Sequence, residues 1–234
     1  MARSVSVIDR PSAAGEPLGV QPPSSGALRR GLLTCGVVAG PLFVGVALIE
    51  VVTVPGFDIT RHPISVLELG TFGWIQIANF LVSGALFMAY AVGLRRTLRG
   101  QVGGTWGPPL LAICGLGTFL AGIFHIDPID GFPPGTPAGM PTAFSTSAVM
   151  HNAVSTPAFL AVIAACFVLG RAFARFGQQR MAIGLWTAGL VFVITMAEAL
   201  SGGPAGSLVL FVGVSCALVA VSVAAARLRV AILM

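Results

Sequence analysis

Residues 31–49 read GLLTCGVVAGPLFVGVALI, a run without one charged residue, entered through Arg29-Arg30 and left through Glu50. The roughly 30 Å hydrocarbon core of a bilayer takes about 20 apolar residues of helix to cross. This stretch, extended to about residue 52, meets that length. Five more stretches do so further on, at about 71–94, 106–125, 148–170, 181–200 and 206–226. The second carries Gln76, Asn79 and Ser83 but no charge, the fourth opens on His151-Asn152, and the fifth holds Glu198 near its far end. The expected fold is all-α: a polytopic integral membrane bundle of six transmembrane helices.

Composition agrees. Of the 234 residues 56% are hydrophobic and 9% charged, with a mean hydropathy of +0.93, whereas a soluble domain carries about a quarter charged residues. The bilayer is therefore the expected main partner. A net charge of +5 raises the question of nucleic acid, but the arginines stand in short clusters between apolar runs, so no nucleic-acid partner is expected. All the basic residues are arginine, which fits a GC-rich genome; the expected location is a bacterial cell (inner) membrane.

Residues 1–30 are rich in Pro, Ser, Gly and Ala and have no apolar periodicity; the expectation is a disordered cytoplasmic tail ahead of a six-helix domain over 31–234. The apolar run after Arg30 spans fully and lacks a small-residue cleavage site, so it is not read as a secretory signal.

Arginine placement sets the direction. Arg3, Arg10, Arg29 and Arg30 precede the first span; Arg95, Arg96 and Arg99 follow the second; Arg171, Arg175 and Arg180 follow the fourth; Arg227 and Arg229 close the sixth. All twelve fall on one side of a six-span chain, and Arg61 alone falls on the other. Both termini are expected in the cytoplasm. The cysteines, Cys35, Cys114, Cys166 and Cys216, lie inside apolar runs without C-x-x-C spacing and read as small hydrophobes.

The acidic residues run the opposite way. Glu50, Asp58, Glu68, Asp127, Asp130 and Glu198 fall outside, as do His62, His125 and His151. The arginine rule does not require this, because acidic residues contribute little to it. A titratable group within or near a span is costly and marks a candidate site. In the first outer loop, GFDITRHPISVLELG, Pro63 disfavours helix at His62; extended backbone there should precede a short interfacial helix, with Asp58 and Arg61 as a possible ion pair. The second, HIDPIDGFPPGTPAGMPT, has a stiff, turn-rich backbone with apolar anchors at Ile126, Ile129, Phe132 and Met140, and reads as an ordered cap.

Candidate ligand-binding residues are Glu50, Asp58, Arg61, His62, Glu68, Gln76, Asn79 and Asn152. Gln76, Asn79 and Ser83 share one helical face, as do His151 and Ser155; together these faces are expected to line a small polar cavity open to the outside. Candidate acid/base residues are His125, Asp127, His151 and Glu198. Candidate metal ligands are His125, Asp127 and His151, although no histidine pair shows the close spacing of a zinc motif. No cofactor is identified. Three classes of function stay open: a membrane protein whose outer pocket binds a lipid or small ligand, an integral-membrane enzyme using these Glu, His and Asp residues, or a small-molecule transporter. Transport asks for polar residues near mid-bilayer, and spans one, three and six offer almost none.

The runs RHPISVLELGTFGWIQIANFLVSG (61–84), WGPPLLAICGLGTFLAGIF (106–124) and DPIDGFPPGTP (127–137) resemble a bacterial and archaeal multi-span family catalogued only as a domain of unknown function (number nine hundred and ninety-eight). The resemblance covers about residues 35–225. It implies the same six-span fold and carries over neither an activity nor catalytic residues.

Overall fold

A computed structural model describes residues 25–203 and 205–231. It contains six α-helices: α1 (Ser25–Thr53), α2 (Trp74–Thr97), α3 (Gly107–Ala121), α4 (Thr146–Arg175), α5 (Gln179–Leu200) and α6 (Gly206–Ala231). No strand occurs among the described residues. The expected tail lies for the most part outside the described residues, and α1 begins at Ser25, six residues before the boundary drawn from composition.

Five of the helices are long and apolar enough to cross a bilayer. The third is the exception. At 15 residues it rises only about 22 Å at 1.5 Å per residue, whereas its apolar text covers twenty residues. Pro108 and Pro109 at its start suit the first turn, where an N–H would have no partner. At its other end the helix stops at Ala121, and Gly122 to Phe124 finish as turns back onto Phe119 and Leu120. α4 starts at Ser145, whose hydroxyl caps the helix by accepting from the Ala148 amide at 3.1 Å.

Neighbouring helices run antiparallel in chain order, and α6 returns against α1. Glycines set the approach. In lipid no hydrophobic force draws helices together, so association rests on packing, which small residues bring close. Each of the six seams has a glycine where an added Cβ would collide: Gly93 against Leu32, Gly84 against Phe119, Gly117 against Val154, Gly170 against Trp186, Gly213 against Thr195 and Gly40 against Leu218. At Gly40 the amide also donates to Ser222 Oγ at 3.1 Å, closing the ring between α1 and α6. Cys166 of α4 lies 4.0 Å from the Ala217 carbonyl of α6, across the middle.

The short α3 sits level with its neighbours. Gly107 at its start abuts Leu94 and Leu169, and Gly122 at its end abuts Ile77 and Phe80. Every helix turns large apolar side chains outward, among them Ile49, Val82, Ile113, Leu160, Ile194 and Val212. In water such a surface would be a liability; in lipid it is the solvated face. The cysteines are free, Cys114 and Cys166 buried, Cys35 half-buried and Cys216 exposed.

Candidate functional site

The loop between α1 and α2 ends in the short 3₁₀ helix expected after Pro63, at Ile64–Leu69. The second loop folds on itself. Ile129 and Phe132 exchange backbone hydrogen bonds, the Asp130 amide donates to Gly139 O, and the Gly139 amide donates to Asp130 Oδ1 at 2.8 Å. Asp130 holds this turn with a φ of 47°, a left-handed conformation that aspartate tolerates better than most residues.

Arg61 does not pair with Asp58 as its sequence position suggested. Its guanidinium grips Asp130 with two parallel contacts, Nη2 to Oδ1 at 2.8 Å and Nε to Oδ2 at 2.9 Å, and Nη2 also donates to the Asp130 carbonyl. The Arg61 pair, then the Gly139 amide, hold the Asp130 carboxyl down at about 2. Asp58 instead caps its own turn, accepting from the amide and hydroxyl of Thr60, and those bonds lower its pKa. The loops thus choose partners 69 residues apart over partners three apart, because Asp130 presents its carboxylate edge and carbonyl together to the fork of the guanidinium.

His62 is buried beneath this clamp. Its Nδ1 accepts from the Asp58 amide at 3.0 Å, so Nε2 carries the proton and donates to the Asp130 carbonyl at 3.0 Å. Phe57 and Phe132 pack on its ring at centroid distances of 5.6 and 5.5 Å. Both ring nitrogens are occupied, which makes His62 a brace between the two loops. Ser207, at the start of α6, donates to the Arg61 carbonyl and ties the cap to that helix.

Glu68 fastens the other end of the second loop. Its side chain is wholly buried, and Oε1 accepts from the Ile126 amide at 2.5 Å. His125 Nδ1 stands 3.6 Å from Oε2, beyond hydrogen-bonding distance, and Oε2 has no other partner among the described residues. Burial raises the Glu68 pKa, opposed by the Ile126 bond and the neighbouring imidazole. Asp127 is engaged as well, accepting from the Ser145 amide at 2.6 Å.

The polar face of α2 is satisfied internally. Ser83 donates to Asn79 Oδ1 at 3.2 Å, Asn79 Nδ2 donates to Gln76 Oε1 and to the Phe43 carbonyl, both at 3.1 Å, and Gln76 Nε2 reaches the Ile64 carbonyl at 3.3 Å. This chain of bonds ties α1, α2 and the 3₁₀ helix together and leaves no free polar face. The cavity expected there is elsewhere and is mainly apolar. It measures about 150 Å³ and lies under the cap, between α1, α2, α3, α4 and α6. Phe43, Phe80, Phe159, Phe211, Val214 and Leu218 form its body, and Ser65, His151, Asn152, Ser155 and Ser207 complete its lining. Sequence reasoning found the α4 residues by their spacing. It missed the apolar body, because a phenylalanine facing a cavity reads no differently from one facing a neighbour.

The proposed acid/base and metal candidates occupy separate stations. His125 stands beside Glu68, Asp127 is bound to the head of α4, and His151 borders the cavity. Glu198 curls onto the turn after α5, its Oε1 filling the space where a Cβ on Gly203 would sit. Among the described residues no three His, Cys, Asp or Glu side chains come together as a metal-binding group. Glu50, near the C-terminal end of α1, is buried with neither carboxyl oxygen hydrogen-bonded among the described residues.

Long apolar helices around a loop-capped cavity define a multi-pass membrane protein. The family model described as "Protein of unknown function (DUF998)" matches residues 37–227, and the chain belongs to that family. No curated protein and no solved structure matches the chain.

Proposed function

We propose that this protein crosses the bacterial inner membrane six times, with both termini cytoplasmic, and that its outer cavity holds one small apolar ligand or one chain of a lipid. The cavity under the cap carries this reading. Binding sites for small molecules are concave and mostly apolar, with a few polar groups to orient the guest. A dry cavity of about 150 Å³ lined by aliphatic and aromatic residues holds a single benzene-sized ring; this one has that size, and its body has that lining. The third span is α3, its short helix supported by ends level with those of α2 and α4. The direction rests on the arginines, because basic loops stay on the cytoplasmic side. Residues 1–30 are proposed as the tail in the same compartment.

The test of binding uses protein in lipid nanodiscs and 4-fluorotoluene, followed by fluorine NMR against empty discs. Val214→Phe fills the cavity, and the expected result is saturable binding in the natural protein reduced at least tenfold in the variant. Equal binding by a Val214→Phe protein that keeps its helical content and melting temperature would refute the cavity as the site. For topology, single cysteines at Gly135 and Gly100 in a cysteine-free background should react with an impermeant maleimide from opposite sides of the membrane. Reaction of both from the same side would overturn the six-span reading.

A further inference from the structure

The cavity wall contains a ring nitrogen that the protein itself does not use. His151 is only 4% exposed and borders the cavity from α4. Its Nδ1 lies 2.7 Å from the Phe124 carbonyl and 3.1 Å from the Ala121 carbonyl, both at the end of α3. Carbonyl oxygens only accept, so Nδ1 must carry the ring proton. In a neutral imidazole the other nitrogen is then a bare acceptor. No described residue hydrogen-bonds Nε2, and it is not among the polar atoms sealed inside the protein. Nε2 is therefore open on the space that its ring adjoins.

A buried acceptor without a donor is costly, and a guest that supplies the donor recovers that cost. No Asp, Glu, Lys or Arg lines the cavity. A carboxylate or phosphate head would meet no cation there and would face the lone pair of Nε2. A neutral hydroxyl meets the opposite conditions, donating to Nε2 while Asn152, Ser155 and Ser65 remain near its oxygen. Phe43, Phe80, Phe159 and Phe211 would surround the apolar part. We infer that the ligand is a neutral, hydroxyl-bearing hydrophobe, a phenol or an alcohol with an apolar body, whose O–H donates to Nε2 of His151. The inference rests on the cavity being the binding site, and adds which chemistry it selects.

The experiment compares 4-ethylphenol with 4-ethylanisole, the same skeleton with its donor methylated away. Binding is measured in nanodiscs at about pH 8, above the ordinary imidazole range, with partition into empty discs subtracted. The phenol should bind about tenfold more tightly than the ether, the scale of one hydrogen bond to a buried acceptor. In His151→Asn the shorter amide keeps a donor for the Phe124 carbonyl but removes Nε2, so the preference should disappear. A measurement on the natural protein covers failure of that variant to fold: in histidine labelled with nitrogen-15, the phenol should move the Nε2 resonance of His151 and the ether should not.

Equal binding of phenol and ether, with no movement of that resonance, would overturn the hydroxyl inference and leave the cavity reading standing. If neither binds, and 4-fluorotoluene does not bind either, the cavity reading falls and this inference with it. Competition with 1-dodecanol identifies the source of the hydroxyl. Displacement of the phenol points to a membrane alcohol and resistance to a free phenol, and the assignment to Nε2 holds in both.

Discussion

Glu68 gives the sharpest test of how the cap is held. In Glu68→Ala the Ile126 amide loses its one acceptor, a bond of 2.5 Å to a carboxylate whose side chain is wholly buried. Leaving a buried donor without its acceptor costs about 1–3 kcal/mol, so the loss should be about 2 kcal/mol. For a chain of this size that corresponds to a fall of about 4–8 °C in melting temperature. Glu68→Gln keeps an acceptor for Ile126 and removes the charge, so the two variants should differ. The pH dependence follows from the raised pKa of Glu68. A carboxyl that the fold prefers neutral contributes stability fully below the unfolded value near 4.5, and that contribution is lost as pH rises through the folded value. The natural protein should therefore lose stability relative to Glu68→Gln as pH is raised from about 4.5 towards neutrality. Taking this difference cancels the other carboxylates, among them Asp58 and Asp130, whose shifts have the opposite sign. The assay is thermal unfolding in a mild detergent across that range. If Glu68→Gln is as damaging as Glu68→Ala at every pH, the negative charge is what the fold needs, most simply for His125, and the reasoning from burial is wrong.

Two further expectations bear on the cap and on the seam between α2 and α3. Asp130→Asn should loosen the second outer loop, read as faster amide hydrogen exchange over residues 126–144 with the helices unaffected. Because the folded pKa of Asp130 is lowered to about 2, the clamp's contribution is complete above the ordinary carboxylate value and is lost as pH falls towards about 2. Unchanged exchange would mean that Arg61 braces nothing. In Gly84→Ala the new methyl would lie 2.5 Å from the Phe119 amide and 2.6 Å from the Gly115 carbonyl. Since both are backbone, α2 and α3 must separate, at a cost of about 1–3 kcal/mol; a melting temperature within a degree of the natural protein would show that this seam is not closely packed.

The membrane class, five of the helices and the family were legible in the sequence, because crossing a bilayer depends on length and composition that each segment carries by itself. The 3₁₀ helix after Pro63 and the buried face of Gln76, Asn79 and Ser83 were also local properties, set by proline sterics and helical period. What those polar residues do was not local. Gln76, Asn79 and Ser83 satisfy one another and the backbone of α1 and the 3₁₀ helix, and a period cannot tell a satisfied face from an open one. Arg61 had a carboxylate three residues away and took one 69 residues away, because ring closure brings both outer loops over the same opening and Asp130 offers two oxygens in the plane of the guanidinium. His151 shows the division most clearly. Its position in the first turns of an apolar span follows from the sequence, but only the end of α3 beside it fixes the proton on Nδ1 and leaves Nε2 to the cavity. Hydropathy determined which segments enter the membrane, and the packing of six helices through glycine seams decided which polar atoms were left without a partner.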